Sequence, residues 1–421
     1  MASMLTLRKN NLRISRRSFF TGAEIMKILF VAMTDSIHTA RWISQIADQG
    51  WDLHLFPSME CGLTSPAFSN LTVHHAIRGK GEGIDRSVKT RGVPLFSDFV
   101  SKGVGEVTKR FWPGLHAERL TRLVNRLRPD LVHSLEIQHA GYLTLEAKKK
   151  LGRQFPPWIV TNWGSDISLF GRLPEHEPLI RDVLGNSDYY SCECRRDVCL
   201  AEAFGFRGAV LPVVPCTGGL DLKDAQSLRT PGPVHARRGI MLKGYQGWSG
   251  RALVGLRALE RCADALKGYE VFVYSASPEV VMAGQLFKSK TGIPLTVVPP
   301  GTPHREMLRL HGCARISIGL SISDGISTSF LEALTMGSFP IQSWTACAEE
   351  WAEDGKSVLL VPPEDADVVE LAIRRALTDD NLVERAAQFN WETATQKLDM
   401  NMLSGMAVDM YRTIALEKGI A

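Results

Sequence analysis

Two acidic residues, Asp324 and Glu332, stand eight positions apart in the segment Ser321-Ile322-Ser323-Asp324-Gly325-Ile326-Ser327-Thr328-Ser329-Phe330-Leu331-Glu332-Ala333. Alone they read as an ordinary loop acid and a first-turn helix acid. Their setting narrows the chemistry. The apolar run Ile316–Leu320 before them predicts a buried strand. Gly325 permits a close or unusual backbone path. Ser327 and Thr328 are good helix N-caps, and Gly337 is a stop after about Met336. The first free N–H groups of such a helix form a ready site for a diphosphate. Asp324, in the loop just before, is then at the distance of a sugar carried on that diphosphate. Glu332, about a turn into the helix, can accept hydrogen bonds from ribose hydroxyls.

Such a loop needs a scaffold, and the chain alternates short apolar runs with helical patterns from Lys27 onward. Strands are expected at 28–33, 53–56, 71–77, 131–134, 158–161, 188–191 and 209–214. A helix is expected over 40–49, ending at Gly50. After the breaker Pro231-Gly232-Pro233 the pattern restarts. Strands are expected at 239–242, 271–274, 295–298, 316–320, 339–341 and 358–361, with a helix over 251–266. Strands apolar throughout, separated by helices, imply parallel sheets covered on both faces. The fold class is therefore α/β, with two doubly wound domains in series. The expected division is a basic extension over 1–25, a first domain over 26–225, a second over 226–390, and C-terminal helices over 391–421 crossing back to the first. Each domain carries ligands at the C-terminal ends of its strands, so two facing edges make an interdomain cleft.

Composition sets outer bounds. The 421 residues fit two domains of usual size, and 44% hydrophobic with 22% charged residues excludes disorder as the main state. The formal net charge of +4 makes no demand for nucleic acid. Arg8, Lys9, Arg13, Arg16 and Arg17 against Glu24 account for it. Ser15-Arg16-Arg17-Ser18-Phe19-Phe20 looks like a twin-arginine export signal, but no apolar run with a small-residue cleavage site follows. Translation beginning at Met26 is the accompanying expectation. Eight scattered cysteines, with Cys192 and Cys194 the closest pair, read as reduced thiols of a cytosolic enzyme. Residues 78–128 hold twelve Lys or Arg against five Asp or Glu. Arg119, Arg122 and Arg126 form a helical stripe there. It reads as a solvated face or, with Phe111-Trp112-Pro113 alongside, as a patch for anionic lipid or a polyanionic acceptor.

The Asp324–Glu332 segment resembles the E-x7-E motif of retaining glycosyltransferases of the GT-B fold, the family 4 (group 1) type. That motif is an acid, Gly, several residues, Glu-Ala and a later Gly-x-Pro, here ending at Gly337-Ser338-Phe339-Pro340. The first acid here is Asp rather than Glu, which bears on sugar identity more than on fold. Arg128-Pro129-Asp130-Leu131-Val132-His133 is similar to the family's strand entry. Trp163-Gly164-Ser165-Asp166 is similar to its His-Gly-x-Asp loop with Trp163 in place of His. Pro215-Cys216-Thr217-Gly218-Gly219-Leu220-Asp221 is similar to its interdomain run.

The resemblance implies that Lys243 and Arg251, flanking a turn that starts at Gly244, hold the diphosphate in place of the family's Arg and Lys. Two cations plus helix amides stabilise a leaving diphosphate without a metal. Arg251 reads equally as a solvated helix-start residue. Asp166, Gly244, Gly325, Ile326, Ser327 and Thr328 are the implied substrate contacts. Asp35, Ser36 and His38 lie at the end of the first strand, with His38 either a ligand contact or a helix-start surface residue. Asp365-Ala366-Asp367 has the spacing of a metal-binding pair but reads better as acids at a helix N-terminus. No metal and no cofactor are expected.

The implied activity is transfer of a hexose-like unit from a nucleoside-diphosphate sugar, with retention, to a glycan, lipid-linked or small-molecule hydroxyl. The implied setting is cell-envelope polysaccharide synthesis in the cytoplasm or at the inner membrane face. Two rivals stay open: a sugar-nucleotide epimerase of the same fold, and a non-catalytic sugar-nucleotide-binding partner protein.

Overall fold

The computed structural model describes residues 25–79, 83–94 and 114–420. Two sheets, both parallel, organise them. The first contains β1 (Lys27–Ala32), β2 (Asp52–Pro57), β3 (Thr72–Arg78), β4 (Lys89–Pro94), β5 (Leu131–Leu135), β6 (Trp158–Thr161), β7 (Tyr189–Ser191) and β8 (Ala209–Val210), in the order β4-β3-β2-β1-β5-β6-β7-β8. The second contains β9 (Gly239–Lys243), β10 (Glu270–Tyr274), β11 (Leu295–Val297), β12 (Ala314–Gly319), β13 (Phe339–Ser343) and β14 (Leu359–Val361), in the order β11-β10-β9-β12-β13-β14. The central strands are buried along nearly their whole length, as helices on both faces require. Each sheet reverses its winding beside its first strand, at β1/β5 and at β9/β12. Those switch points open crevices at the C-terminal strand ends.

Several boundaries differ from expectation for identifiable reasons. The helix expected over 40–49 starts at Ile37, because the Ser36 hydroxyl accepts from the N–H groups of His38 and Thr39 at 3.2 and 3.4 Å. The strand expected over 209–214 pairs only at Ala209–Val210; Pro212 and Pro215 beyond it have no N–H to give a ladder. No apolar run announces β4, whose residues are largely exposed.

The domains are joined twice. The N–H of Leu220 donates to the Leu398 carbonyl at 2.8 Å, and the N–H of Met400 to the Leu220 carbonyl at 3.1 Å. The two crossing segments are therefore stitched together. From there the helix Met400–Lys418 lies on the first domain, with Leu403, Ala407, Tyr411, Ile414 and Ala415 as its buried stripe. Trp42 Nε1 donates to the Tyr411 hydroxyl at 2.9 Å, and that hydroxyl meets His133 Nδ1 at 2.6 Å. Burial pushes the His133 pKa down to about 3, so the ring is neutral and its Nε2 meets the Thr161 hydroxyl.

The helix Leu115–Leu127 buries Leu120, Leu123 and Val124 and leaves Arg122 and Arg126 exposed, with Arg119 half-buried over the Phe56 ring. Arg119 pairs with Glu60 at 2.8 Å and Arg122 with Glu118 at 3.1 Å. Phe111-Trp112-Pro113 and residues 1–24 of the expected 1–25 extension lie outside the described residues. Among those described, no helix is long and apolar enough to cross a membrane.

Candidate active site

A cavity of about 1290 Å3 lies between the two sheets, at the C-terminal ends of β1, β5, β6 and β7 on one side and β9, β10, β11 and β12 on the other. Both switch points open into it. The helix Thr328–Met336 begins on its second-domain wall. Ser327 precedes that helix in extended conformation, but its hydroxyl does not cap it. The hydroxyl instead accepts from Lys243 Nζ at 3.2 Å and contacts the Ser329 hydroxyl at 3.0 Å. The first helical N–H groups are thus left for another acceptor. Lys243 Nζ also lies 3.6 Å from Asp324 Oδ2 and over the Tyr245 ring. Lys243, Asp324, Ile326, Ser327, Thr328 and Glu332 all line the cavity.

Glu332 is the one charged residue of this helix, and it is 6% exposed. Burial alone raises such a pKa, yet the hydrogen bond from His304 Nε2 at 2.7 Å and the nearby His311 outweigh it. The carboxyl is held below its ordinary value. Asp324 caps its own loop by accepting from the Gly325 N–H at 2.9 Å. A Cβ on Gly325 would sit 3.3 Å from the Gly164 Cα and 3.0 Å from Glu193 Oε2. The two glycines let the domains touch beside Asp324.

The other expected residues divide between the cavity wall and its surroundings. Arg251 is turned out of the cavity: its Nε donates to Glu364 at 2.8 Å and its Nη1 to the Gly250 and Gly247 carbonyls at 2.8 and 3.1 Å. The resemblance set it beside Lys243, and the structure does not. Glu364, 113 positions along the chain, holds it on the outer rim. Gly244 packs on Ala276, where a Cβ would meet Ala276 Cα at 2.6 Å. It shapes the turn without lining the cavity. Ser36 serves as a helix cap. His38 does line the cavity, edge-on to Trp163 at 6.0 Å. Crowding by protein, then Arg41, keeps its pKa below the ordinary value. Asp166 also lines the cavity, but its Oδ2 accepts the N–H groups of Ile137 and Trp163, both at 2.9 Å. Burial beside Glu136 raises its pKa well above the usual carboxylate range. It organises two loops of the first wall.

Further cavity residues carry no local sequence signal. Glu193, after β7, accepts from the Cys216 N–H at 3.0 Å, and burial pushes its pKa up to about 7. Glu136, after β5, has φ +80° and ψ 156°, a region nearly reserved for glycine. Its carboxylate holds it there by accepting from the His139 and Ala140 N–H groups. Arg196 clamps the loop at Asp324 to the first domain: Nη2 donates to the Asp324 carbonyl at 2.9 Å and Nη1 to the Thr345 carbonyl at 3.0 Å. The Ser165 hydroxyl adds a bond to the Ser323 carbonyl at 3.2 Å.

Asp365 caps the helix Ala366–Thr378, and Asp367 pairs with Arg261. Among the described residues, Cys194, Cys347 and Glu350 bring three metal-capable atoms within 4.8 Å of one another. They lie at the domain seam and do not line the cavity.

Residues 27–88 and 109–191 match the family model described as glycosyl transferase 4-like. The fold is GT-B, two parallel-sheet α/β domains facing across a cleft. The likeness in fold extends over both domains. Sucrose-phosphate synthase from Thermosynechococcus elongatus superposes with a TM-score of 0.66 at 16% identity, covering 93% of this chain and 100% of that chain. Trehalose 6-phosphate synthase from Burkholderia multivorans gives 0.67 at 13% identity, covering 94% and 98%. HepE from Anabaena, solved in complex with UDP, gives 0.62 at 13% identity, covering 92% and 100%. At such identities these structures speak for the fold alone. No curated protein sequence matches the chain.

Proposed function

We propose that this protein is a glycosyltransferase that moves a hexose-like unit from a nucleoside-diphosphate sugar to an acceptor hydroxyl with retention of anomeric configuration, without a metal ion. The observation that carries the reading is the second-domain wall. Lys243, the open N-terminus of the helix Thr328–Met336, Asp324 and Glu332 share one face of the cavity.

In this reading the helix amides and Lys243 hold the diphosphate, where negative charge grows as the bond breaks. Glu332, ionised and oriented by His304, accepts from the ribose hydroxyls. Asp324 faces the sugar. The C1–O bond to the diphosphate breaks and the C1–O bond to the acceptor forms on the same face. The acceptor proton passes to the departing phosphate oxygen, so no protein nucleophile is needed. Closure of the two walls excludes water. That Anabaena HepE has been solved with UDP and with UDP-glucose makes a uridine donor the first to try. The acceptor is proposed to be a glycan, lipid-linked or small-molecule hydroxyl met by the first wall.

The test is incubation with UDP-, ADP- and GDP-hexoses and a panel of such acceptors, with and without EDTA, followed by proton NMR. The expected result is a product with the donor's anomeric configuration and a rate insensitive to EDTA. An inverted product, or activity abolished by EDTA and restored by a divalent cation, refutes the respective part. Release of an epimerised nucleotide-sugar selects the epimerase instead.

A further inference from the structure

A leaving diphosphate carries at least two negative charges, and this cavity is not generous with cations. Five carboxyl side chains line it: Glu136, Asp166, Glu193, Asp324 and Glu332. Among the described residues, only two lysine or arginine side chains line it, Lys243 and Arg41. Lys243 is shared with Asp324 at 3.6 Å and with the Ser327 hydroxyl at 3.2 Å. Arg251 is engaged outside, on Glu364 and two backbone carbonyls.

Arg41 is in the opposite situation. It lies in the last turn of the helix Ile37–Ser44, which leaves the C-terminal end of β1 at the first domain's switch point. Ile37 and His38, one turn earlier on that helix, line the cavity with it. Its guanidinium makes no ion pair or hydrogen bond among the described residues. It is close enough for its charge to act on His38 in its own wall and on Glu332 in the facing wall. Arg41 thus lines the same cavity as Ser327, Thr328 and Ser329 at the start of the helix Thr328–Met336.

We propose that Arg41, from the first domain, is the second diphosphate-binding cation of this enzyme, acting across the cleft from Lys243 in the place that Arg251 leaves vacant. The inference rests on the donor reading above and deepens it. A planar fork of N–H donors matches two phosphate oxygens at once. Because Arg41 and Lys243 sit on different domains, the diphosphate bridges them, and donor binding draws the two walls together. An acceptor that reaches the first wall then meets a cleft the donor has closed.

The experiment is calorimetric titration of UDP, ADP and GDP into the full-length protein, then of the best binder and its monophosphate into variants. Arg41→Gln is expected to weaken the diphosphate by about ten- to a hundredfold, the loss of one or two charge-assisted hydrogen bonds. The monophosphate is expected to lose much less, a difference that a merely structural role for Arg41 does not produce. Arg41→Lys is expected to recover part of the loss, and it carries the comparison should Arg41→Gln not fold. Arg251→Gln is expected to bind the diphosphate close to the unaltered protein. If no diphosphate binds the unaltered protein, this proposal and the donor reading both fall. If one binds and Arg41→Gln keeps its affinity, or loses both nucleotides equally, only this proposal falls. It also falls if Arg41→Gln raises the acceptor KM alone, which assigns Arg41 to an anionic acceptor.

Discussion

Glu193 shows how much a single buried carboxyl can say. It lines the cavity beside Gly325, accepts one backbone hydrogen bond, and titrates near neutrality because burial disfavours its charge. A carboxyl raised from 4.5 to about 7 is protonated more readily in the folded chain than in the unfolded one. Its contribution is fully present below pH 4.5 and is lost as the pH rises through 7. Glu193→Gln mimics the protonated form at every pH. The variant is expected to match the unaltered protein in stability near pH 4.5. It should exceed it at pH 8 by an amount on the order of 3 kcal/mol, from the 1.36 kcal/mol per pKa unit that linkage gives. Denaturant melts across that range check it; parallel curves for the two proteins would contradict the assignment.

At the scale of elements, the C-terminal helix Met400–Lys418 decides whether the first domain is complete. Tyr411 is fully buried there and joins Trp42, His133 and Thr161 in one hydrogen-bonded chain. Tyr411→Phe keeps the ring and removes the hydroxyl. Two buried polar groups, the Trp42 indole N–H and His133 Nδ1, then lose a partner. The expected cost is about 1–3 kcal/mol for each group left unsatisfied, seen as a lower denaturant midpoint with an unchanged slope. No loss would mean that the helix rests on its apolar stripe alone. The helix Thr328–Met336 is the other deciding element. Gly337 follows it at φ +77°, and Ser327 leaves it uncapped because Lys243 takes the hydroxyl. Local rules foresaw the glycine stop but not the uncapped start, since Lys243 lies 84 positions away.

Across the whole molecule, the same division holds between what the sequence makes legible and what it hides. The two doubly wound sheets were readable from apolar runs and breakers, because parallel central strands are buried end to end. The exposed β4 was not, because nothing apolar marks it. The grouping of Asp324, Ser327 and Glu332 was readable because one strand–loop–helix unit carries all three. Arg41, Glu193 and His304 were not, since only the docking of separate elements brings them to the cavity. Arg251 went the other way: a promising neighbour of Lys243 in sequence, it is held outside by Glu364.

The structure holds the walls together through Arg196, Ser165 and the Gly164–Gly325 approach, so the loop carrying Asp324 is fixed by contacts from both domains. The account stands or falls on donor binding at that loop. The direct measurement is calorimetric titration of UDP, ADP and GDP into the unaltered protein and into Glu332→Ala. Saturable binding of at least one nucleotide is predicted, weakened about tenfold or more when the ribose-accepting carboxylate is removed. Absence of binding to the unaltered protein, or equal affinity in the two proteins, would contradict it.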